Sequence, residues 1–198
     1  MSRGQRARNE ILDAAERLIA ERGMQVSLRE IAVAAGQRNH SAVNYYFHNR
    51  QELIDAVVDR RLEPMERERA LMLAVLDVDT RTDIHALLRI IVLPLITVPS
   101  RYYARFLQLA VMDLNTDAYQ RQGAVWPQLL EELARAIPTK DPDARRRRIN
   151  AVGTSMFALL SERERTAHSD AAGVGSAEDI IGMLAAMLTA PLPGPDIP

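Results

Sequence analysis

Residues 27–47 read S-L-R-E-I-A-V-A-A-G-Q-R-N-H-S-A-V-N-Y-Y-F, and this stretch decides the fold of the N-terminal part of the chain. Ser27 followed by Glu30 forms a capping box, in which a hydroxyl and a carboxylate satisfy the free amides at a helix start. Gly36 suits the left-handed position that ends a helix. The stretch therefore predicts a short helix, a brief turn and a second short helix over about residues 41–47, which together make a helix-turn-helix.

Helical signals continue on both sides of this stretch. Apolar residues at helical spacing predict a first helix from about residue 7 to 21, ended by Gly23. Asn49, with Glu52 three residues later, indicates the start of a fourth helix. Pro64 should kink or interrupt that helix, because proline lacks an amide hydrogen and its ring crowds the preceding turn.

The rest of the chain repeats the same pattern of helix starts. Asp141 before Pro142 is a strong N-terminal signal, and Ser176 can cap a last helix to about residue 189. Strand signals are scarce, so we expect an all-α protein. The tail, residues 191–198, reads P-L-P-G-P-D-I-P, and we expect it to be disordered because proline prevents helix formation.

Composition excludes several classes of protein. The 198 residues include no cysteine, which rules out disulfides, thiolate metal sites and cysteine nucleophiles. The start, M-S-R-G-Q-R-A-R, is no signal peptide, and no apolar run is long enough to span a membrane. We therefore expect a cytoplasmic protein that binds no membrane.

Charge distribution gives a weaker signal. Residues 1–62 hold 10 arginines and 8 acidic residues, a balance of +2, whereas the whole chain has a net charge of -1. This small bias permits a nucleic-acid partner without indicating one.

No catalytic arrangement is recognisable in the sequence. There is no glycine-rich phosphate loop, no H-E-x-x-H and no Ser/His/Asp set, and the four histidines are scattered. We therefore expect no enzyme, no cofactor and no metal site.

The N-terminal third resembles the DNA-binding head of the TetR (tetracycline-repressor) family over about residues 8–62. The resemblance is carried by I-L-D-A-A-E-R-L-I-A-E-R-G at residues 11–23, S-L-R-E-I-A-V-A-A-G at residues 27–36 and N-Y-Y-F-H-N-R-Q-E-L-I-D-A-V at residues 44–57. The turn after Gly36 departs from the family pattern, because it reads Q-R-N-H and the segment to Phe47 is one residue longer. We expect the difference to alter base preference and not to abolish binding.

The resemblance implies a bacterial protein that is nucleoid-associated when bound to DNA. It also implies that the second short helix reads DNA. Asparagine bonds adenine edges, arginine reads guanine, and hydroxyls bond phosphate. Arg50 in the first turn of the fourth helix would meet a phosphate together with the backbone amides of the helix start. The expected contacts lie on the turn and at helix starts: Ser27, Arg29, Arg38, His40, Ser41, Asn44, Tyr45 and Arg50. The basic segment Arg3, Arg6 and Arg8 is either an arm that follows the minor groove or a disordered tail.

The resemblance also implies a helical body that binds an effector and dimerises. An apolar and aromatic set with a few polar anchors would form the effector pocket: Met72, Arg89, Leu93, Tyr102, Tyr103, Phe106, Leu109 and Trp126. The last two long helices carry apolar stripes that would form the dimer interface: Ile149, Val152, Met156, Leu160, Ile180, Leu184, Met187 and Leu188. Plain core packing is the competing interpretation of both sets.

These expectations define the domains and the function. We expect a three-helix helix-turn-helix DNA-binding domain at 1–49, a helical effector-binding and dimerisation domain at 50–190 that begins with the fourth helix, and the tail. The function would be that of a sequence-specific transcriptional regulator, a repressor whose affinity for a palindromic operator changes with a small apolar or amphipathic effector. The alternative is a helical ligand-binding or scaffold homodimer without specific DNA binding.

Overall fold

The structure is a computed structural model, and it describes residues 2–37, 42–77, 80–110, 125–167 and 173–191. Within these residues all regular structure is helical, which confirms the all-α prediction. A single 3-10 turn lies at Thr80–Thr82. The α-helices are α1 (Arg3–Arg22), α2 (Leu28–Ala34), α3 (Ala42–Tyr46), α4 (Arg50–Ala74), α5 (Ile84–Ile96), α6 (Tyr103–Ala110), α7 (Val125–Ala136), α8 (Pro142–Thr166) and α9 (Ala177–Thr189).

The first helix begins earlier than the apolar pattern predicts. The Ser2 hydroxyl accepts a hydrogen bond from the Gln5 amide at 3.2 Å, which caps α1 one residue before Arg3. Arg3, Arg6 and Arg8 are therefore helical, and the interpretation of this segment as a disordered tail is wrong. The cap lies outside the apolar stripe, which is why helical periodicity alone placed the start too late.

The fourth helix passes through its proline without a break. α4 runs over 25 residues and contains Pro64, so the expectation that this proline interrupts the helix is wrong. Pro64 itself is exposed, whereas Leu62 and Met65 beside it are buried. We infer that apolar burial on both sides of the proline offsets the loss of one backbone hydrogen bond.

The chain divides into two compact units. The first comprises Met1–Arg67 and Val98–Gly123, and the second comprises Glu68–Thr97 and Ala124–Pro198. α4 therefore contributes to both units, and the chain passes between them again after α5.

In the first unit, α1 is the central element. It packs against α2 and α6, and α2 packs against α3. The buried side chains are mostly apolar and come from every helix of the unit: Ile11, Leu12, Ile19, Ile31, Val43, Phe47, Leu53, Ile54, Val57, Tyr103 and Phe106.

In the second unit, α5 packs against α9 and α7, and α8 packs against α9 and α7. α5 is apolar along most of its length, including the buried Pro94. Arg148 of α8 donates to the backbone carbonyls of Leu188 and Ala190, so a cation stabilises the C-terminal end of α9. No helix in the described ranges combines the length and hydropathy that crossing a membrane requires.

The starts of α2 and α9 confirm the capping predicted from the sequence. The Ser27 hydroxyl accepts from the Glu30 amide at 3.2 Å, and the Glu30 carboxylate accepts from the Ser27 amide at 2.9 Å. Ser176 and Asp179 form the same reciprocal pair at the start of α9. At the end of α2, Gly36 has φ +68°, the left-handed conformation that ends the helix.

The first capping box makes stability depend on pH. The Ser27 backbone amide, followed by the Ser27 hydroxyl, lowers the pKa of Glu30 below its ordinary value of 4.5. A lowered pKa in the folded state means that the unfolded chain takes up the proton first. The contribution of Glu30 is therefore fully present above the unfolded pKa and is lost as the pH falls through the folded pKa.

We predict that Glu30→Gln flattens the dependence of the unfolding free energy on pH below about pH 5, because no carboxylate then titrates in the box. Ser27→Ala should flatten it only in part, since the backbone amide still donates to Glu30. Denaturant titrations at a series of pH values measure this slope. An unchanged slope in Glu30→Gln would show that the box does not couple folding to protons.

Candidate nucleic-acid interface

α3 has five residues, so its position depends on its anchors. Val43 is fully buried and Phe47, just after the helix, is 1% exposed. The Phe47 amide donates to the Val43 carbonyl at 2.8 Å, and the Arg8 guanidinium lies 5.2 Å from the centre of the Phe47 ring. These contacts hold one face of α3 against the head.

The opposite face of α3 is exposed. Asn44 is exposed, and Tyr45 is 82% exposed, which is high for so large an aromatic side chain. The Tyr45 ring meets the Tyr46 ring edge to face, with ring centres 5.0 Å apart. The structure thus brings Asn44 and Tyr45 together on a surface that is free to meet a ligand.

The start of α2 presents Ser27 and Arg29. Ser27 is exposed but its hydroxyl is engaged in the capping box, whereas the Arg29 side chain is exposed. The first-turn amides of α2 that have no acceptor within the helix can still donate to a phosphate. Both residues remain predicted backbone contacts.

Arg50 has a structural role that its sequence position did not indicate. Its guanidinium donates to the backbone carbonyls of Val26 and Met24, in the turn between α1 and α2. The side chain is partly buried there and ties the start of α4 to that turn. Contact with DNA remains a prediction for Arg50, and it would use donors that these two carbonyls leave free.

Three further predicted contacts, Arg38, His40 and Ser41, lie outside the described residues. Gln37, the described residue just before them, is held by two side-chain hydrogen bonds. The Gln37 side-chain amide donates to the Ala35 carbonyl at 3.0 Å and to the Glu10 carboxylate at 3.3 Å.

The sequence did not predict where the first turn of α1 lies in the head. A Cβ on Gly4 would lie 3.6 Å from the Tyr46 hydroxyl, so this turn lies beside α3. Arg3 and Arg6 are exposed on it. These two cations therefore lie on a helix whose start is beside α3 and not on an extended arm, a placement that no local sequence signal could reveal.

The start of α4 adds a polar pair near this surface. The Glu52 carboxylate accepts from the His48 amide and from the His48 ring nitrogen Nδ1, both at 2.8 Å. These bonds, the backbone one first, lower the pKa of Glu52. Asn49 caps α4 as the sequence predicted, with its side-chain oxygen 2.9 Å from the Glu52 amide.

The residues predicted to line an effector pocket fall in both units. Tyr103 and Phe106 are buried in the first unit, with ring centres 6.3 Å apart, and Tyr102 and Leu109 are half-buried there. Met72, Leu93 and Trp126 are half-buried in the second unit. Arg89 is exposed and forms a bidentate ion pair with Glu178 at 2.6 and 2.9 Å, so this arginine is engaged at the surface. The pocket remains a prediction.

Most residues predicted for the dimer interface lie in the core of the second unit. The buried members are Val152, Met156, Leu160, Ile180, Leu184 and Leu188. Ile149 and Met187 are half-buried. The apolar stripes of α8 and α9 are thus largely used by the chain itself, which is the competing interpretation that the sequence left open.

Comparison with known proteins finds a family match within the head. Residues 11–57 match the sequence model of a family described as "Bacterial regulatory proteins, tetR family". This range contains α2, α3 and the buried Val43 and Phe47 that anchor α3. None of the curated proteins that were compared with the chain matches it.

Solved structures share the fold over nearly the whole chain. AibR, in complex with isovaleryl coenzyme A and operator DNA, is 17% identical, with 94% of this chain and 100% of that chain covered and a TM-score of 0.60. A putative TetR-family transcriptional regulator from Rhodococcus sp. is 18% identical, with 92% and 96% covered and a TM-score of 0.53. The superantigen PfiT is 19% identical, with 93% and 96% covered and a TM-score of 0.51. At such low identity these likenesses show the fold alone, and the different description of PfiT illustrates that one fold serves several functions.

We predict that Tyr45→Ala leaves the unfolding free energy within about 0.5 kcal/mol of the wild type, because the side chain is exposed and packs on little besides Tyr46. Arg50→Ala should lower it by about 1–3 kcal/mol, because two carbonyls in a partly buried turn lose their donor. Both variants should bind DNA more weakly. Denaturant titration combined with a gel shift separates the two effects, and an Arg50→Ala protein as stable as the wild type would contradict the structural role.

Proposed function

We propose that this chain, whose N-terminal head belongs to the tetR family of bacterial regulatory proteins, is a sequence-specific DNA-binding transcriptional regulator. The observation that carries the proposal is the match over residues 11–57 together with the exposed Asn44 and Tyr45 on an anchored α3. A helix of this kind places its outer side chains against base edges in a major groove.

The regulator is proposed to act as a homodimer on a palindromic operator. A single head buries little DNA surface, and two recognition helices must lie about 34–36 Å apart to meet successive major grooves. A symmetric pair of chains supplies that spacing and explains why the operator would be palindromic.

We assign the dimer interface to the outer faces of α8 and α9. Met183 is 40% exposed, and Phe157 is half-exposed. A Cβ at Gly153 or Gly182 would meet nothing within 4 Å, so both glycines leave room for a partner helix to approach. Ile149 and Met187, half-buried at the edges of the core, extend this surface.

The proposed regulator is a repressor whose operator affinity changes when a small apolar or amphipathic molecule binds. AibR, which shares the fold, was solved in complex with isovaleryl coenzyme A and operator DNA. In this chain the effector residues predicted from the sequence remain the proposed site. Because α4 belongs to both units, a displacement of α4 would couple effector and operator binding. We propose a cytoplasmic location and no catalytic activity.

The competing function is a helical ligand-binding or scaffold dimer that lacks specific DNA binding. The unusual sequence Q-R-N-H after Gly36 favours it, since this stretch comes just before α3 in the chain. A gel shift of DNA from upstream of the chain's own reading frame, with scrambled DNA as the control, decides between the two. A sequence-specific shift supports the regulator, and its absence supports the scaffold.

We predict that Asn44→Ala relaxes the base preference at one position of each operator half-site. A bidentate pair between asparagine and adenine discriminates against the wrong base by about 1–3 kcal/mol, and alanine removes it. Selection of operator variants by wild type and Asn44→Ala measures this. Arg29→Ala serves as the control, because loss of a phosphate contact should weaken all sequences equally. An unchanged selection profile in Asn44→Ala would remove this residue from base recognition.

We predict that Met183→Arg weakens dimerisation without unfolding the protomer, because a cation would then be buried between two subunits. Sedimentation velocity over a range of concentrations measures the association. Leu184→Ala is the matched control: Leu184 is fully buried, so the variant should lose about 2–5 kcal/mol of unfolding free energy. A Met183→Arg protein that remains as dimeric as the wild type would place the interface on another face.

A further inference from the structure

Glu16 is a buried carboxylate in the middle of α1. Its side chain is enclosed in the first unit, with 3% of the residue exposed. The carboxylate accepts from Arg60 at 2.7 Å, from Arg61 at 3.4 Å and from the Ser100 hydroxyl. A charge removed from water persists only where such partners compensate it. We call these four residues the Glu16 junction.

The partners of Glu16 come from two distant parts of the chain. Arg60 and Arg61 belong to α4, within seven residues of the point where α4 passes into the second unit at Arg67–Glu68. Ser100 is the third residue after the chain returns to the first unit at Thr97–Val98. The junction therefore bonds α1 to two segments, α4 and residues 98–100. Through both of these segments the chain connects the first unit with the second.

The residues that follow Ser100 lead directly into α6. The Tyr102 amide donates to the Ser100 hydroxyl oxygen at 3.1 Å, and the Phe106 amide donates to the Tyr102 carbonyl at 2.8 Å in the first turn of α6. Tyr103 and Phe106 are buried where α6 packs against α1. A movement of residues 98–102 would therefore act on α1 both through α6 and through the carboxylate.

The junction lies beside open space. It borders an open groove of 780 Å³ that is lined on one side by residues of α1 and on the other by Val98–Tyr102. That space allows residues 98–102 to shift. A hydroxyl has a single proton to donate, so a shift of Ser100 leaves Glu16 with its two arginines alone and one acceptor unsatisfied. The Ser100–Glu16 hydrogen bond is therefore either formed or lost, and its presence would distinguish two arrangements of residues 98–102.

We propose that the Glu16 junction is the positioning device that couples residues 98–110 to the DNA-binding surface of the head. The proposal rests on the proposed function and adds its regulation. Glu16 bonds α1 both to α4 and to the segment that leads into α6. α3 is in turn anchored on α1 through Arg8 and Phe47. Effector binding that displaces residues 98–102 would release Ser100 from Glu16 and change the head.

The experiment uses the reciprocity of coupling, so that no effector has to be known. Hydrogen exchange is followed by mass spectrometry for the full-length protein, free and saturated with an operator obtained by selection. Peptides covering residues 98–110 report on the segment. The variants are Ser100→Ala, which removes the one hydroxyl bond, and Glu16→Gln, which keeps the size of the side chain. Glu21→Gln removes an exposed acid from the same helix and is the control.

In the wild type and in Glu21→Gln, operator DNA should slow exchange in residues 98–110. In Ser100→Ala and Glu16→Gln this effect of DNA should shrink by about fivefold or more, the scale of a typical coupling between sites. Operator affinity of Ser100→Ala should stay close to that of the wild type. The same affinity is expected if Ser100 only stabilises the fold, so affinity does not separate the two roles. The loss of the DNA effect at residues 98–110 is the outcome specific to coupling.

Each failure has its own meaning. No operator binding by the wild type would overturn the proposed function itself. Operator binding without any effect on residues 98–110 would overturn the coupling and leave the function intact. A full DNA effect in Ser100→Ala would likewise overturn the role of the junction, whether or not Glu16→Gln folds.

Discussion

The burial of Val43 and Phe47 is the interaction on which the DNA-binding surface depends. A helix of five residues does not persist in water by itself, because few hydrogen bonds compensate its ordering. Two apolar side chains fix its inner face, and the Arg8 guanidinium covers the Phe47 ring. Asn44 and Tyr45 are presented outward as a consequence, and their exposure is a result of the packing beneath them.

Several arginines of the head are engaged by other groups of the protein, which changes how they are interpreted. Arg50 is bonded to two carbonyls of a turn, and Arg60 to Asp13 and Glu16. These side chains cannot be assigned to DNA from their sign alone. Exposed cations are also present at the start of α1, where Gly4 approaches Tyr46 of α3. Position in the fold, and not net charge, separates structural arginines from those available to a phosphate.

The body follows a similar logic. The apolar stripes of α8 and α9 pack within the second unit, and small residues on their outer faces leave room for another helix. The run Arg145–Arg148 has structural partners too, since Arg148 caps α9 and Arg146 pairs with Asp143. The unit therefore has a core of its own, and association would use a second and less apolar surface.

The sequence by itself determined what depends on near neighbours along the chain. Capping boxes at Ser27 and Ser176, the left-handed Gly36 and the helical periodicity fix the helix-turn-helix and the all-α class, because these signals act over three to five residues. Only the tertiary structure decided which face of each stripe is buried, that α4 continues through Pro64, and where Arg50 and Glu16 find their partners. The partners of Arg50 and Glu16 lie 24 to 84 positions away along the chain, and no local pattern encodes which distant group will compensate a buried charge.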